Sequence, residues 1–445
     1  MCMQNRVFFW SIVVALGGFL FGFDTAVISG AEKSIQKLWQ LNAFEHGLAI
    51  SSALIGTVVG ALFGGIPSDS LGRKKTLFWI AILYLVSAIG SAVATDWIVF
   101  MVFRLIGGFG VGASSVAAPL YITEISPAHS RGKLVALFQF NVVFGILVSY
   151  LSNYLLAGTS ENDWRWMLGV EAFPAIAFMI ALFFVPESPR WLILKKGQTE
   201  NATATLKAAN PPGTDVDQMV ADIISSGKTT SISHHASLFS KQYRTPVMLA
   251  VLFAVFNQVS GINAIIYYAP RIFEMADLEK SSALLSSAGI GLVNFIFTLI
   301  GMNLIDKYGR RTLMFVGSVG LIITLGLVAR AFYANDLGGI AVPVYLFLYI
   351  AFFAFSQGAV IWVFISEIFP NEVRASGQAL GSFTHWFMAT VIAFTFPYLA
   401  ETLGGGNTFL FFCLMMVLQL LFVWRIMPET KGTSLEEIGK NVVVH

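Results

Sequence analysis

Two ionisable residues stand inside long apolar runs of this chain. Asp24 lies in the first run, in the segment Phe-Gly-Phe-Asp-Thr, and Arg104 lies in the fourth, in Phe-Arg-Leu-Ile-Gly-Gly. An unpaired charge near the centre of a bilayer costs about 2.5–3.5 kcal/mol or more, so we expect both residues to face the protein interior and to pair. No other charge inside the runs is expected to reach them. Such a pair is suited to proton chemistry, because protonation of Asp24 would release Arg104 and free the two helices to rearrange.

The simpler interpretation of the same two residues is a fixed ion pair that joins the first helix to the fourth. We favour the proton switch, because an ionisable residue within a membrane-spanning segment is by default a candidate for function. The sequence by itself leaves both interpretations open.

Uncharged polar and aromatic side chains inside the runs form a second group. Amides donate and accept hydrogen bonds, as hydroxyls do, and aromatic faces suit the C–H surface of a sugar ring. A single amide is equally suited to bonding a neighbouring helix, but the group as a whole favours a hydroxyl-rich ligand. Its histidine could bind ligand, titrate near neutral pH or bond a neighbouring helix. The residues are Gln139, Asn257, Gln258, Asn263, Asn294, Trp362, His385 and Trp386.

Twelve apolar segments position these residues, and each is long enough for the roughly 20 helical residues that cross a bilayer. Lys and Arg concentrate in alternate connections, so the positive-inside rule places those connections and both chain ends in the cytoplasm. Ser260-Gly261 and Gln357-Gly358 stand in mid-segment, where we expect the helices to unwind. The segments lie near 7–29, 46–66, 75–95, 97–121, 133–157, 166–185, 245–270, 283–304, 311–332, 340–365, 376–400 and 406–427.

The composition agrees with a membrane protein. Of the 445 residues, 56% are hydrophobic and only 12% are charged, and the mean hydropathy is +0.74. That leaves too few polar groups to cover a soluble surface. The net charge of +2 does not indicate nucleic-acid binding. Cys2 and Cys413 offer neither a disulfide framework nor a metal-ligand spacing, and no cofactor is expected.

Three charged motifs occur twice, about 240 residues apart, which indicates two copies of one helical bundle. They predict a first bundle over 1–185, a cytoplasmic linker with short helices near 199–209 and 215–225 over 186–244, and a second bundle with a short tail over 245–445. The motifs are Asp69-Ser-Leu-Gly-Arg-Lys and Asp306-Lys-Tyr-Gly-Arg-Arg, Glu124-Ile-Ser-Pro and Glu367-Ile-Phe-Pro, and Pro186-Glu-Ser and Pro428-Glu-Thr.

The repeated motifs fit a cytoplasmic latch in which charges of one half face charges of the other. Topological anchoring is the alternative, and it explains the basic residues but not the repeated glutamates. The expected members of the latch are Asp69, Arg73, Glu124 and Arg131 in the first half and Asp306, Arg310, Glu367 and Arg374 in the second.

Over nearly its whole length, the chain resembles the sugar porters of the major facilitator superfamily. The ordered set of motifs carries this resemblance, together with Arg131-Gly-Lys, Pro186-Glu-Ser-Pro-Arg-Trp, and Gln258-x-x-Gly-Ile-Asn followed by Tyr267-Tyr268. Within the family, the pattern is most similar to the bacterial D-xylose/proton symporters, which have an aspartate and an arginine where Asp24 and Arg104 stand. Facilitative glucose carriers of animals have an asparagine in place of Asp24. The resemblance also implies Tyr267 as a substrate-binding residue.

Three departures from the family pattern leave the identity of the sugar open. The tandem glutamines of the seventh helix are Asn257-Gln258 here, and His385 replaces a glutamine of the eleventh helix. The tenth helix reads Gly-Ala-Val-Ile-Trp362, without the proline of the family pattern. All three positions touch sugar in the family.

The sequence therefore predicts an all-α membrane protein with twelve transmembrane helices in two pseudo-symmetric six-helix bundles. The expected function is import of a pentose or hexose with a proton, by alternating access, by a monomer in a bacterial inner membrane. A facilitative sugar uniporter is the main alternative. A membrane sugar sensor is a weaker one, because sensors usually need a long signalling tail. A membrane enzyme is disfavoured, because the histidines form no cluster with a nucleophile or with metal ligands.

Overall fold

The computed structural model describes residues 3–127, 130–211, 213–230, 237–337, 339–370 and 372–431, so Cys2 and the tail from Gly432 lie outside it. Among the described residues, twelve helices are long and apolar enough to cross a membrane, which confirms the predicted number. We number them spans 1 to 12: Arg6–Leu38, Ala43–Phe63, Arg73–Val93, Trp97–Ile125, Arg131–Leu156, Asp163–Phe184, Lys241–Met275, Lys280–Tyr308, Arg310–Ala334, Ala341–Glu367, Arg374–Thr402 and Gly404–Arg425.

Several spans are longer than the sequence predicted. Span 1 continues to Leu38 rather than ending near 29, and span 7 continues to Met275 rather than ending near 270. The apolar pattern stops at the first charged residues, but Glu, Lys and Gln are good helix formers, so the helix itself continues through them. Ionisable residues that the sequence assigned to connections therefore lie on the last turns of long helices.

Spans 1 to 6 pack together, as do spans 7 to 12, and the two halves meet along a few helix pairs. Span 2 packs against span 11, span 5 against span 8, and span 1 against the second part of span 7. At Gly47 on span 2, an added Cβ would clash with the carbonyl oxygen of Phe394 on span 11. The absence of a side chain at Gly47 therefore allows the two halves to approach closely.

The repeated charged motifs all lie at one end of the helices, together with the first and last described residues. We call this end the motif side and the opposite end the far side. The connection between the halves carries two helices, Thr199–Ala209 and Val216–Thr230. They pack on each other through an apolar cluster that includes Trp191 and Leu206.

Three spans are interrupted near the middle of their length. Span 7 divides into Arg244–Val259 and Ile262–Met275, and Gly261 between them has a left-handed φ of 88°. Span 10 contains a π-helical segment, Ala354–Gly358, and such segments are frequent at functional sites. Span 6 divides into Asp163–Gly169 and Ala172–Ala181. The break at Gly261 confirms the unwinding predicted there, whereas span 10 remains helical through Gln357-Gly358 and only widens into a π-helical segment.

Candidate functional site

The structure brings Asp24 and Arg104 together in the first half. Arg104 Nη1 donates to Asp24 Oδ1 at 2.5 Å, and Arg104 Nη2 donates to the backbone oxygen of Asp24 at 3.1 Å. Both side chains are only 2% exposed. Because Arg104 binds the backbone as well as the carboxylate, it stays beside span 1 when the carboxylate changes its charge.

A second carboxylate, Glu171, stands beside this pair, so the expectation that no other charge reaches Asp24 and Arg104 is wrong. Glu171 is buried at the break in span 6 and interacts with both of them. Its Oε1 has no hydrogen-bond partner in the described structure. The signal that identified Asp24, an ionisable residue within an apolar run, was also present at Glu171.

Four polar side chains of the second half form a connected cluster at the break in span 7. Gln258 Nε2 donates to Asn257 Oδ1 at 2.8 Å and lies 3.2 Å from His385 Nδ1 on span 11. Asn263 Nδ2 donates to Gln258 Oε1 at 2.5 Å. Gln258 is thus the centre of the cluster. Gly261 makes this possible, because its left-handed conformation starts a new helix on which Asn263 faces Gln258.

Aromatic rings border the amide cluster. The ring centroids of Trp362 and His385 lie 4.8 Å apart, as do those of His385 and Trp386. Phe21 of span 1 lies 5.5 Å from Trp386, so the border includes both halves. Trp362 remains 37% exposed, which leaves a ring face available to a ligand.

Tyr267 lies beside the carboxylate cluster from the opposite half. It is buried on span 7, one helical turn after Asn263, and it lies beside Thr25, Asp24 and Arg104 of the first half. Asn263 of the amide cluster lies on the same helix, Ile262–Met275, so this helix connects the amide cluster with the carboxylate cluster across the interface.

Among the described residues, two expected substrate-binding residues make no hydrogen bond to the amide cluster. Gln139 is partly buried on span 5, and Asn294 is buried on span 8, one turn after Gly291. Gly291 packs against Tyr150 of span 5. The structure therefore places Asn294 near the contact between the halves. That Asn294 and Gln139 bind substrate remains a prediction.

On the motif side, the first half contains a closed network around Arg73. Its guanidinium makes two hydrogen bonds to Glu124, of 2.8 and 2.9 Å, and a third to Asp69 of 3.1 Å. The carboxylate of Glu187 accepts the backbone N–H groups of Arg73, Lys74 and Ser188, so a negative charge caps the start of span 3. Burial raises the pKa of Glu187, and these N–H groups partly oppose the rise.

The second half repeats this network with the equivalent residues. Arg310 Nε and Nη2 donate to Glu367 at 3.1 and 2.7 Å, and Arg310 Nη1 lies 3.3 Å from Asp306. Glu429 accepts the backbone N–H groups of Arg310 and Arg311. Gly309, like Gly72, has a left-handed φ, and an added Cβ would clash with the capping glutamate. The glutamate of each Pro-Glu motif, Glu187 or Glu429, therefore caps the helix that begins at the Gly-Arg motif of the same half.

The expectation that these charges face each other across the two halves is wrong for this structure. Arg73 pairs with Glu124 and Asp69 of its own half, and Arg310 pairs with Glu367 and Asp306 of its own half. Arg374 donates to the backbone of Phe369 in the same half, and Arg131 is exposed. Arg73 begins span 3 and Glu124 lies at the end of span 4, so the packing of these two adjacent spans brings the residues together.

We predict that Glu124→Gln destabilises the protein, because Arg73 would lose its buried bidentate partner. Hydrogen bonds to charged groups contribute about 1.5–3 kcal/mol, so the temperature of thermal unfolding should fall measurably. Asp69→Asn is the matched control: Asp69 is 63% exposed and binds the same arginine, and exposed pairs contribute about 0–1 kcal/mol. Equal unfolding temperatures in the two variants would contradict this assignment.

Hydrogen bonds and ion pairs between the two halves, among the described residues, all lie away from the motif side. Tyr150 of span 5 donates to the backbone of Ile266 at 2.6 Å, and Arg271 binds Glu32 at 2.8 Å. Lys33 pairs with Glu274, and Lys280 lies 3.7 Å from Asp163. The halves are thus joined on the far side, and the described motif networks do not join them.

Twelve spans in two repeated halves, with polar clusters meeting between them, define a membrane carrier of the major facilitator fold. The family model described as "Sugar (and other) transporter" matches residues 10–441. The chain therefore belongs to the sugar transporter family.

Similar proteins that are named for sugar transport agree with this family. An arabinose-proton symporter of Bacillus subtilis is 39% identical, over 97% of this chain and 94% of its own length. A D-xylose-proton symporter of Escherichia coli is 35% identical, over 98% and 95%. The inward-open structure of the E. coli xylose transporter is 34% identical and matches with a TM-score of 0.87, over 98% of this chain and 99% of that chain.

Proposed function

We propose that this protein imports a monosaccharide, a pentose or a hexose, together with a proton by alternating access. The observation that carries the proposal is the buried cluster of Asp24, Arg104 and Glu171, which lies beside Tyr267 on the helix that also carries Asn263 of the amide cluster. The relatives named as proton symporters of arabinose and D-xylose support the same combination of solutes. A bacterial inner membrane, with the motif side and both chain ends in the cytoplasm, fits the positive-inside rule.

Charge balance assigns one proton to the first cluster. Asp24 and Glu171 together carry two negative charges when ionised, whereas Arg104 carries one positive charge. A buried charge without a partner is costly, so the cluster is balanced when one carboxyl group holds a proton. Transfer of that proton changes which carboxylate Arg104 holds, and therefore how spans 1, 4 and 6 are tied together.

The second cluster supplies the sugar site. Gln258, Asn257 and Asn263 satisfy one another in this structure, and sugar hydroxyls offer the same donors and acceptors. Trp362 and Trp386 border the cluster and would cover the apolar face of the ring. His385 contributes a ring nitrogen next to Gln258. A sugar bound here would contact span 7 directly beside Tyr267, which is how binding would reach the carboxylates.

The conformation fits one state of the transport cycle. The halves are in contact on the far side, and the described motif networks remain within each half. Both features are expected of a carrier that is open to the cytoplasm. In alternating access the two halves rock about the central site, and release of the far-side contacts would open the external path. We propose that residues 1–185 and 245–445 move as the two units. One chain holds both clusters, which supports a monomer as the functional unit.

A facilitative uniporter is the remaining alternative within the family. It would bind sugar at the same amide cluster but would not need a titratable group at Asp24. The two buried carboxylates and their single arginine favour symport, because a uniporter gains nothing from an unbalanced buried charge.

Uptake by the purified protein in proteoliposomes tests the proposal. We expect labelled D-xylose, L-arabinose or D-glucose to exchange across the membrane, and at least one of them to accumulate inside when the interior is made alkaline. Exchange without accumulation would establish the uniporter. Absence of exchange with all three sugars, in protein that binds sugar, would favour a non-transporting sensor.

A further inference from the structure

A second buried group of charges joins the halves on the far side, outside the two polar clusters described above. Arg271 of span 7 makes two hydrogen bonds to Glu32 of span 1, from Nε at 3.0 Å and from Nη2 at 2.8 Å. Arg271 also donates to Gln36 of span 1. His46 Nε2 of span 2 lies 3.0 Å from the same carboxylate. We call these four residues the far-side clamp.

The clamp is unusual in its burial. The Glu32 and His46 side chains are fully buried, and Arg271 is only 12% exposed. An arginine that holds a carboxylate with two parallel bonds is the most directional ion pair available to a protein. Removal of one partner from a buried pair leaves the other charge without compensation, which is strongly unfavourable.

The position of the far-side clamp between an external cavity and the protein interior indicates its role. A cavity of about 520 Å³ lies on the far side between the halves, and Arg271 and Gln36 form part of its wall, together with Lys33, Lys37, Met275, Ala400 and Glu401. Glu32, below them, has no exposed surface. The clamp therefore separates this cavity from the interior, where Tyr267 and the polar clusters lie.

Only one member of the clamp belongs to the second half. Glu32, Gln36 and His46 lie on spans 1 and 2, whereas Arg271 lies on span 7. When the halves separate on the far side, Arg271 must leave Glu32, and both charges become hydrated. His46 remains beside Glu32 and keeps the carboxylate oriented for the return of Arg271.

We propose that the Glu32–Arg271 pair is the external gate of this carrier, with Gln36 and His46 as positioning residues. The inference rests on the proposed alternating access. The pair stabilises the state that is closed on the far side, and its rupture is a step in opening that side to external sugar.

Spin-label distances measured across the far side test the gate directly. Labels are attached at Leu38→Cys and Leu403→Cys in a Cys2→Ser/Cys413→Ser background; Leu38 and Leu403 are exposed residues of opposite halves. In Glu32→Gln and in Arg271→Met, we expect the ratio of far-side-open to far-side-closed molecules to rise about tenfold or more. The double variant should shift the ratio less than the two single changes combined, because it leaves no unpaired charge.

The exposed pair Lys33–Glu274 is the matched control. It joins the same two spans on the same side, but its side chains are 43% and 25% exposed. Lys33→Gln and Glu274→Gln should leave the distances unchanged, since exposed pairs contribute little. Arg271→Lys keeps the charge but not the two parallel bonds, so it should give an intermediate shift and can replace Arg271→Met if that variant does not fold.

Unchanged distances in Glu32→Gln and in the Arg271 variant, or equal shifts in the control variants, would overturn the gate. The measurement requires no sugar and no proton gradient. Failure of the proposed function would appear instead as absence of sugar exchange by the parent protein, so the two failures can be told apart.

Discussion

Asp24→Asn should reduce the accumulation of sugar against a gradient to the level of simple equilibration. Asparagine cannot take up or release a proton, and it resembles the protonated aspartate in shape, so the carrier should still exchange sugar. Arg104 would retain its hydrogen bond to the backbone of residue 24, which keeps spans 1 and 4 together. The measurement is uptake of labelled sugar into proteoliposomes, first with an imposed pH gradient and then as exchange without one.

Glu171→Gln is the informative companion to this variant. If the two carboxylates share one proton, loss of either should abolish accumulation and preserve exchange. Normal accumulation in Glu171→Gln, with none in Asp24→Asn, would assign the coupling to Asp24 by itself. Normal accumulation in Asp24→Asn would show that the buried cluster does not couple sugar to protons.

Gln258→Ala should weaken sugar binding by about 5- to 150-fold, the second large effect that we expect. Gln258 is the centre of the amide cluster, with bonds to Asn257, Asn263 and His385. A buried amide or hydroxyl that loses its partner costs about 1–3 kcal/mol, which corresponds to that range of affinity. Direct binding measurements with the purified protein, such as calorimetric titration, would give the dissociation constant.

Gln419→Ala is the matched control for this prediction. Gln419 is also a fully buried amide of the second half, but it donates to Ser318 Oγ at 2.8 Å between spans 12 and 9. Its loss should lower thermal stability and leave affinity unchanged, whereas Gln258→Ala should mainly change affinity. Normal affinity with reduced stability in Gln258→Ala would mean that the cluster only joins helices and that the sugar binds elsewhere.

The sequence by itself determined the class of protein and the number of spans. Length and composition of the apolar runs are local properties, and a bilayer converts them directly into spanning helices. The break at Gly261 was predictable for the same reason, because glycine flanked by polar residues inside a span weakens a helix locally. Asp24 and Arg104 were identified as a pair because a buried charge needs a partner and the sequence offered few.

Only the tertiary structure decided which charges meet. The repeated motifs are visible in the sequence, and they led to the prediction that charges of one half pair with charges of the other. The distance from Arg73 to Glu124 depends instead on how adjacent helices of one half pack. Glu171 reached Asp24 because span 6 breaks beside it. Glu32 and Arg271 lie beyond the apolar cores of their spans, where the hydrophobic pattern has ended but the helix continues. Glu32 and Arg271 are 239 residues apart in the chain. Their pairing depends on the relative position of the two halves, and no local pattern in the sequence records that position.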